Sequence, residues 1–413
     1  MTSRPPFTID PAGADLVGEA ARLREAGDVV RVELPGGIPA WVVTRHDLLR
    51  RVLLDPKVSK DARRHWRLWP EVATRPEWAW INVVVGGRTM LNAYGAEHRR
   101  LRRLLSPSFT NHRTKEMQPI VDRITAGLLD DLAALPPGRV VDLRAAYAQP
   151  LPLGVICERF GVPEEMRLDF ARLVSAVLDT SIASPEESAV AVVEVYKMID
   201  DLIARKREHP ADDLTTQLIE AREGDDRLSR DELRDTLLMI ISGGQETTVS
   251  LIVNSVHSLL THPDQLRRVR AGDLSWEAVI EETLRVNPSA ANIPLRFAVE
   301  PLDLEGVRVP AGDAILATYL VAGHDPHQHG EDAAEFDAGR EQRENLAFGI
   351  GAHHCIGEPL AWQEALTALP ALFERFPDLR LAADTAELGQ LPTFMLQGWS
   401  ELPVRLTAPP LDG

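Results

Sequence analysis

Near the C-terminal end of the chain, Phe348–Gly349–Ile350–Gly351–Ala352–His353–His354–Cys355–Ile356–Gly357 sets one cysteine in an apolar loop punctuated by glycine. The residues that follow, Glu358 to Phe376, have helical spacing, and Pro359 suits a first turn, where a missing N–H costs nothing. Gly349, Gly351 and Gly357 allow left-handed or closely approached backbone. The free N–H groups and positive end of the helix would stabilise a thiolate on Cys355. A sulfur aimed by such a rigid turn has three readings. It is an inert buried cysteine, a nucleophile paired with His353, or a metal ligand. Zinc held by His353, His354 and Cys355 would need further ligands, yet the chain has no Cys-x-x-Cys and its only other cysteine is Cys157. No hydrolase signature accompanies a nucleophile.

The pattern Phe-Gly-x-Gly-x-His-x-Cys-x-Gly resembles the haem-binding loop of the cytochrome P450 family at every specified position. That resemblance implies a mainly α, single large cytochrome P450 fold over residues 1–413, a helical body with small β regions. It implies one haem b (iron protoporphyrin IX) per chain, with Cys355 as the thiolate ligand of the metal.

The rest of the chain agrees with one large unit. No Gly/Ser-rich linker, low-complexity run or internal repeat divides the 413 residues, and 44% hydrophobic content supplies a core without disulfides. Helical periodicity predicts helices near 15–26, 46–54, 96–105, 113–134, 145–160, 164–180, 187–208, 230–260 and 275–286. Strands fit 29–34, 41–44, 295–299, 307–309 and 314–318. Residues 61–93 read as irregular and hold Trp66, Trp69, Trp78 and Trp80, half of the eight tryptophans. A net charge of −17 argues against nucleic-acid binding. Two cysteines fit a reducing cytosol, and residues 1–15 carry neither a signal-peptide apolar stretch nor a membrane span. The expectation is a cytoplasmic, bacterial-type protein without a membrane partner.

A second chemical segment interrupts the long 230–260 pattern: Gly243–Gly244–Gln245–Glu246–Thr247–Thr248. Each interior glycine costs about 0.8–1 kcal/mol against alanine, and local widening of a helix marks functional sites. The family carries a similar segment across the distal haem face. By that resemblance Gly243 and Gly244 open a groove for dioxygen, Gly243 faces substrate, Thr247 steadies the oxygen ligand and Glu246 relays protons from solvent. Thr248 reads as a back-bonded helix residue. Gln245 stands where many relatives have His.

Glu282 and Arg285 lie three apart on one helix face, a weak signal alone. The resemblance completes the pair with Arg340 in Phe336–Asp337–Ala338–Gly339–Arg340 and makes all three scaffold for the cysteine loop. It also gives the haem propionates to His98, Arg102, Arg296 and His353, since guanidinium suits bidentate carboxylate binding. Phe348 and Gly349 complete the cofactor set, with Phe348 shielding the sulfur. In the basic run 98–103, helical spacing turns His98 and Arg102 inward. It turns Arg99 and Arg103 outward, where they and Arg100 would meet an acidic redox partner. Trp362 and His324 replace arginines frequent in relatives, and both would alter the surface behind the loop.

The function implied is a P450 monooxygenase that hydroxylates an unactivated C–H bond of a large apolar small-molecule substrate, steroid-like or polyketide/macrolide, with O2. Two electrons would come from NAD(P)H through a ferredoxin reductase and ferredoxin. A dealkylase, or an oxidative cross-linker of aromatic peptides, would use the same cofactor site. A haem-binding sensor would need no Glu246–Thr247 relay. The Trp-rich stretch, the Asp179–Glu187 connection as a lid, and the turn from Thr393 to Gln397 are expected around the substrate, though the tryptophans and the turn would serve equally as core.

Overall fold

A computed structural model describes residues 7–178, 185–223 and 226–406. Its axis is the Arg230–Thr261 helix. The helix starts cleanly because Ser229 accepts the backbone N–H of Glu232 while the Glu232 carboxylate accepts that of Ser229, a reciprocal cap. Its length and apolarity would suffice to cross a membrane, but most of that stretch is buried inside the protein. It is a core helix. Helices Gln118–Ala133, Pro150–Phe160, Trp276–Val286 and Glu358–Arg375 surround it and share one apolar cluster that includes Val121, Val155, Ile252, Val256, Ile280 and Leu369.

The β regions expected at the two ends of the chain join in one six-stranded sheet. Its order is Phe7–Thr8, Val29–Leu34, Ile38–Val43, Ala314–Thr318, Asn292–Ala298, Val58–Ser59. Val29–Leu34 and Ile38–Val43 form a hairpin with Val32 opposite Ala40. Ala314–Thr318 runs parallel to the second hairpin strand and antiparallel to Asn292–Ala298. At the far edge, Val58 faces Ala298 and Ser59 faces Phe297. Side chains alternate across the pleat, so Val30, Val32 and Leu34 are buried on one face.

The helices predicted near 15–26, 46–54, 96–105, 230–260 and 275–286 stand within a residue or two of the observed ends. The 113–134 helix is two, Asn111–Glu116 and Gln118–Ala133, because Pro119 begins a new first turn. The 145–160 helix begins as a π turn, Arg144–Ala148, before Pro150 restarts it as α. Short helices Leu214–Glu220 and Pro263–Ala271 were not expected. Nor is 61–93 wholly irregular: Ala62–His65, Trp69–Val72 and Ala79–Val85 are helical.

The tryptophans of that stretch are core. Trp66 stacks between Trp78 and Phe297, and the Trp78 indole N–H donates to the Gly36 carbonyl. All four pack against the sheet. His324 is likewise interior, so it cannot shape the outer surface. It is buried and donates Nε2–H to the Val286 carbonyl at 2.7 Å. His329 lies edge-on to His46, ring centroids 5.5 Å apart.

Burial pushes both His324 and His329 down to about 4, so both are neutral near pH 7. An unfolded histidine titrates near 6.5, so the unfolded chain binds more protons between that value and 4. Their contribution to stability is complete above pH 6.5 and is lost as pH falls toward 4, a loss on the order of a few kcal/mol for the pair. Denaturant midpoints measured from pH 8 to 4 should be flat, then fall through this window. His324→Gln keeps a donor for Val286 and should flatten the fall. An identical slope in that variant would contradict the buried neutral assignment.

Candidate active site

The cysteine loop is held from three sides. Inside it, the Cys355 N–H donates to the Phe348 carbonyl at 2.8 Å, and Gly349 and Gly351 take positive φ values of 66° and 75° that a side chain would strain. Behind it, His354 bridges the Gly349 carbonyl and the Glu358 carboxylate, at 3.1 and 2.5 Å. From the Gly95–Leu105 helix, Arg102 Nη1 donates to the carbonyls of Ala352 and His354 at 2.9 and 3.0 Å. The sulfur's exposed surface faces an interior cavity, and protein surrounds the rest of the side chain. Burial pushes the Cys355 thiol up. The N–H groups of Gly357 and Glu358, at the head of the Glu358–Arg375 helix, and the charge of Arg102 pull it back.

Opposite, the Arg230–Thr261 helix presents Gly243, Gly244, Thr247 and Thr248 to the same cavity. The two glycines do not interrupt it; the backbone stays α-helical throughout. What they provide is missing side chains. A methyl group on Gly243 would meet nothing within 4 Å, and one on Gly244 would touch Ile156 at 3.4 Å. Thr247 Oγ1 donates to the Gly243 carbonyl at 2.5 Å and Thr248 Oγ1 to that of Gly244 at 3.0 Å, so both hydroxyls are back-bonded. With its proton engaged, Thr247 offers lone pairs to the cavity. Glu246 points behind the helix, where its carboxylate accepts from Arg144 Nη2 at 2.6 Å in a buried ion pair.

A third wall is cationic. His98, Arg102, Arg296 and His353 come together there, with the His98 and His353 rings 4.4 Å apart. His98 and Arg296 are 5% and 4% exposed, and His98 Nε2 and Arg296 Nη1 have no hydrogen-bond partner. Burial and the neighbouring cations push both imidazoles down, so they are neutral. A buried cation and orphaned donors around an apolar hollow fit a flat anionic group, and the sulfur at its base fits an iron ligand. The residues present therefore suit a haem. Among the described residues no group of three His, Cys, Asp or Glu side chains is disposed for another metal ion, which removes the zinc reading.

Glu282, Arg285 and Arg340 also meet. The Arg285 guanidinium grips both Glu282 oxygens at 2.8 and 2.7 Å, and Arg340 Nε reaches Glu282 Oε1 at 3.5 Å. Arg340 also binds Asp332 and the His329 carbonyl, anchoring the segment that leads into the cysteine loop. Phe348 lines the cavity and also a groove behind the loop, where Trp362 lies.

Two expectations fail here. Gln397 does not line the cavity: its side-chain amide donates to Asn287 at 2.7 Å and its carbonyl accepts from Asn254. The rest of its turn is spent on the sheet, with Phe394 in the core and Leu396 bridged to Ala290. Arg100 is not available to a partner, because Glu97, Asp226 and Glu232 all engage it. Residues 179–184 of the proposed lid lie outside the described residues. Conversely, three cavity or relay residues carry no sequence signal: Lys60, Arg144 and Glu364. Lys60 is 2% exposed and burial pushes its ammonium far down. Glu364 is buried and pushed up to about 8, hence protonated at neutral pH.

A cytochrome P450 family model matches residues 276–395. Over a longer reach, the 2-hydroxy-5-methyl-1-naphthoate 7-hydroxylase of Streptomyces carzinostaticus is 39% identical across 401 residues, 97% of each chain. The solved structure of CYP154A1 from Streptomyces coelicolor A3(2) superposes with a TM-score of 0.91 at 46% identity, covering 97% of this chain and all of that one. Testosterone-bound CYP154C4 from Streptomyces sp. ATCC 11861 superposes with a TM-score of 0.94 at 39% identity, covering 99% of this chain and 100% of its own. Similarity sustained from end to end, and not the cysteine loop alone, establishes that this chain belongs to the cytochrome P450 family and is a haem-dependent monooxygenase.

Proposed function

We propose that the whole chain acts as one haem-thiolate domain that hydroxylates a C–H bond of a large apolar molecule, steroid-like or polyketide/macrolide. The observation that carries this reading is a single continuous cavity. It runs from the Cys355 sulfur to Gly243 and Thr247 and is walled by Met90, Leu91, Met239, Ile240, Leu251 and Ile293. Apolar walls with few polar groups select substrates by shape and hydrophobic area. One relative is named a naphthoate hydroxylase and one neighbour was solved with testosterone, which supports a substrate of that bulk.

Haem, when bound to Cys355, would supply the activation of dioxygen. The protein's own work is positioning and proton control. Cys355 provides the sulfur. Gly243 leaves space above it. Thr247 Oγ1 accepts a hydrogen bond from whatever occupies that space, since its proton is committed to Gly243. Glu246 holds a proton-accepting carboxylate behind the helix, and it serves the cavity only by letting go of Arg144. Two free cysteines, Cys157 and Cys355, fit a reducing cytoplasm.

Adding steroids, macrolide aglycones and small terpenes to the ferric protein tests the substrate class. The bulky ligands should shift the absorption from low to high spin. Gly243→Ala places a methyl in open space above the sulfur, so it should weaken those ligands by about tenfold, a few atoms' worth of lost fit. It should not lower the melting temperature, since alanine is the better helix former. A protein that responds only to small polar ligands would overturn this reading.

Electrons are proposed to come from NAD(P)H through a ferredoxin reductase and a ferredoxin docked beside the exposed Arg99 and Arg103. Reversing both to Glu should slow ferredoxin-driven reduction by about tenfold at low ionic strength and leave the haem spectrum intact. Unchanged reduction would discard this docking patch.

A further inference from the structure

Lys60 is a buried basic side chain that the site described so far does not use. It follows the Val58–Ser59 strand, which pairs antiparallel with Asn292–Ala298, Val58 opposite Ala298 and Ser59 opposite Phe297. One further step in that register sets Lys60 beside Arg296. Both are buried, both line the cavity, and among the described residues neither has an acidic partner. Like charges abreast on neighbouring strands repel, and a buried ammonium without a counter-ion is costly. An anion lying against this sheet edge would let Lys60 carry its charge beside Arg296.

The other polar groups on this wall cannot supply that anion. Arg102 is a cation, and its Nη1 is engaged by the Ala352 and His354 carbonyls. His98 and His353 are imidazoles, which are neutral or cationic and supply no negative charge. Arg144, the other buried arginine near the site, already has Glu246. What remains is two buried basic side chains without an acidic partner, Lys60 and Arg296, and haem b carries two carboxylates on one edge. Resting on the haem reading above, we infer that Lys60 is the counter-ion of one haem carboxylate and Arg296 that of the other.

The pairing makes each carboxylate's charge balance separate. Arg296 binds through a planar fork and fixes direction, whereas the Lys60 ammonium is a compact charge on a flexible stem that follows its anion. Lys60 thereby becomes a determinant of haem retention and of reduction. Removing a positive charge from the haem edge disfavours the added electron, so the reduction potential falls.

The test uses the haem-loaded protein with Lys60→Met, which keeps the stem, and Lys60→Gln, which keeps donors without charge. Resonance Raman reads the propionate bending bands. Transfer of haem to excess apomyoglobin reads retention. One propionate band should move in both variants and return in Lys60→Arg, and haem transfer should accelerate on the order of tenfold, the loss of one charge-assisted hydrogen bond. A packing role alone would change transfer without moving a band. Bands unmoved in Lys60→Met overturn the assignment, as does a carboxylate ligand whose affinity, rather than the bands, responds to Lys60. If Lys60→Met does not fold, the same readouts on Lys60→Gln decide. Absence of haem from the wild-type protein would overturn the haem reading and this one together; normal wild-type haem with unmoved bands overturns Lys60 alone.

Discussion

A guanidinium with no access to water ties this molecule together. Arg285 has five N–H donors and the structure gives each an acceptor: the two Glu282 oxygens and the carbonyls of Gly323, Ala333 and Glu335. A buried ion pair is seldom a net gain over apolar packing, and breaking one typically costs about 3–5 kcal/mol. Its value here is geometric. Trp276–Val286 lies against the core helix, while the three carbonyls belong to the chain on its way from the sheet to the cysteine loop. Glu282 also accepts the backbone N–H of Asp337, and Arg340 closes the set. The loop is thus positioned from a point that solvent cannot reach.

From that anchor the site follows by successive constraint. The segment fixed by Arg285 and Arg340 delivers Phe348, whose carbonyl holds the Cys355 N–H. Arg102 then clamps the loop to the Gly95–Leu105 helix, so a residue that the family resemblance makes a carboxylate partner also serves the loop carbonyls. The distal helix contributes absence, two missing side chains above the sulfur, while its acid is kept out of the cavity by Arg144.

Much of this was legible in the sequence where local pattern and motif agreed. The cysteine loop, the Glu-x-x-Arg helix and the long central helix each combine periodicity with distinctive residues. Boundaries failed where proline restarts a helix, at Pro119 and Pro150, because periodicity continues across a change of axis. The tryptophans of 61–93 were ambiguous for a plain reason: a core wall and a substrate wall are both apolar, and only the sheet behind them decides. Gln397 failed because its partners are distant in sequence: Asn254 on the core helix and Asn287 just after the Trp276–Val286 helix. Lys60 and Arg144 were invisible because their roles come from strand pairing and helix packing between residues more than a hundred positions apart.

The account stands on sulfur from Cys355 reaching the haem iron. The most direct measurement is the absorption spectrum of the reduced, carbon monoxide-treated protein beside its Cys355→Ser variant. The native protein should show the red-shifted band of thiolate ligation, and the variant should lose it while remaining folded. A variant that keeps the band, or a native protein that never shows it, would contradict the account.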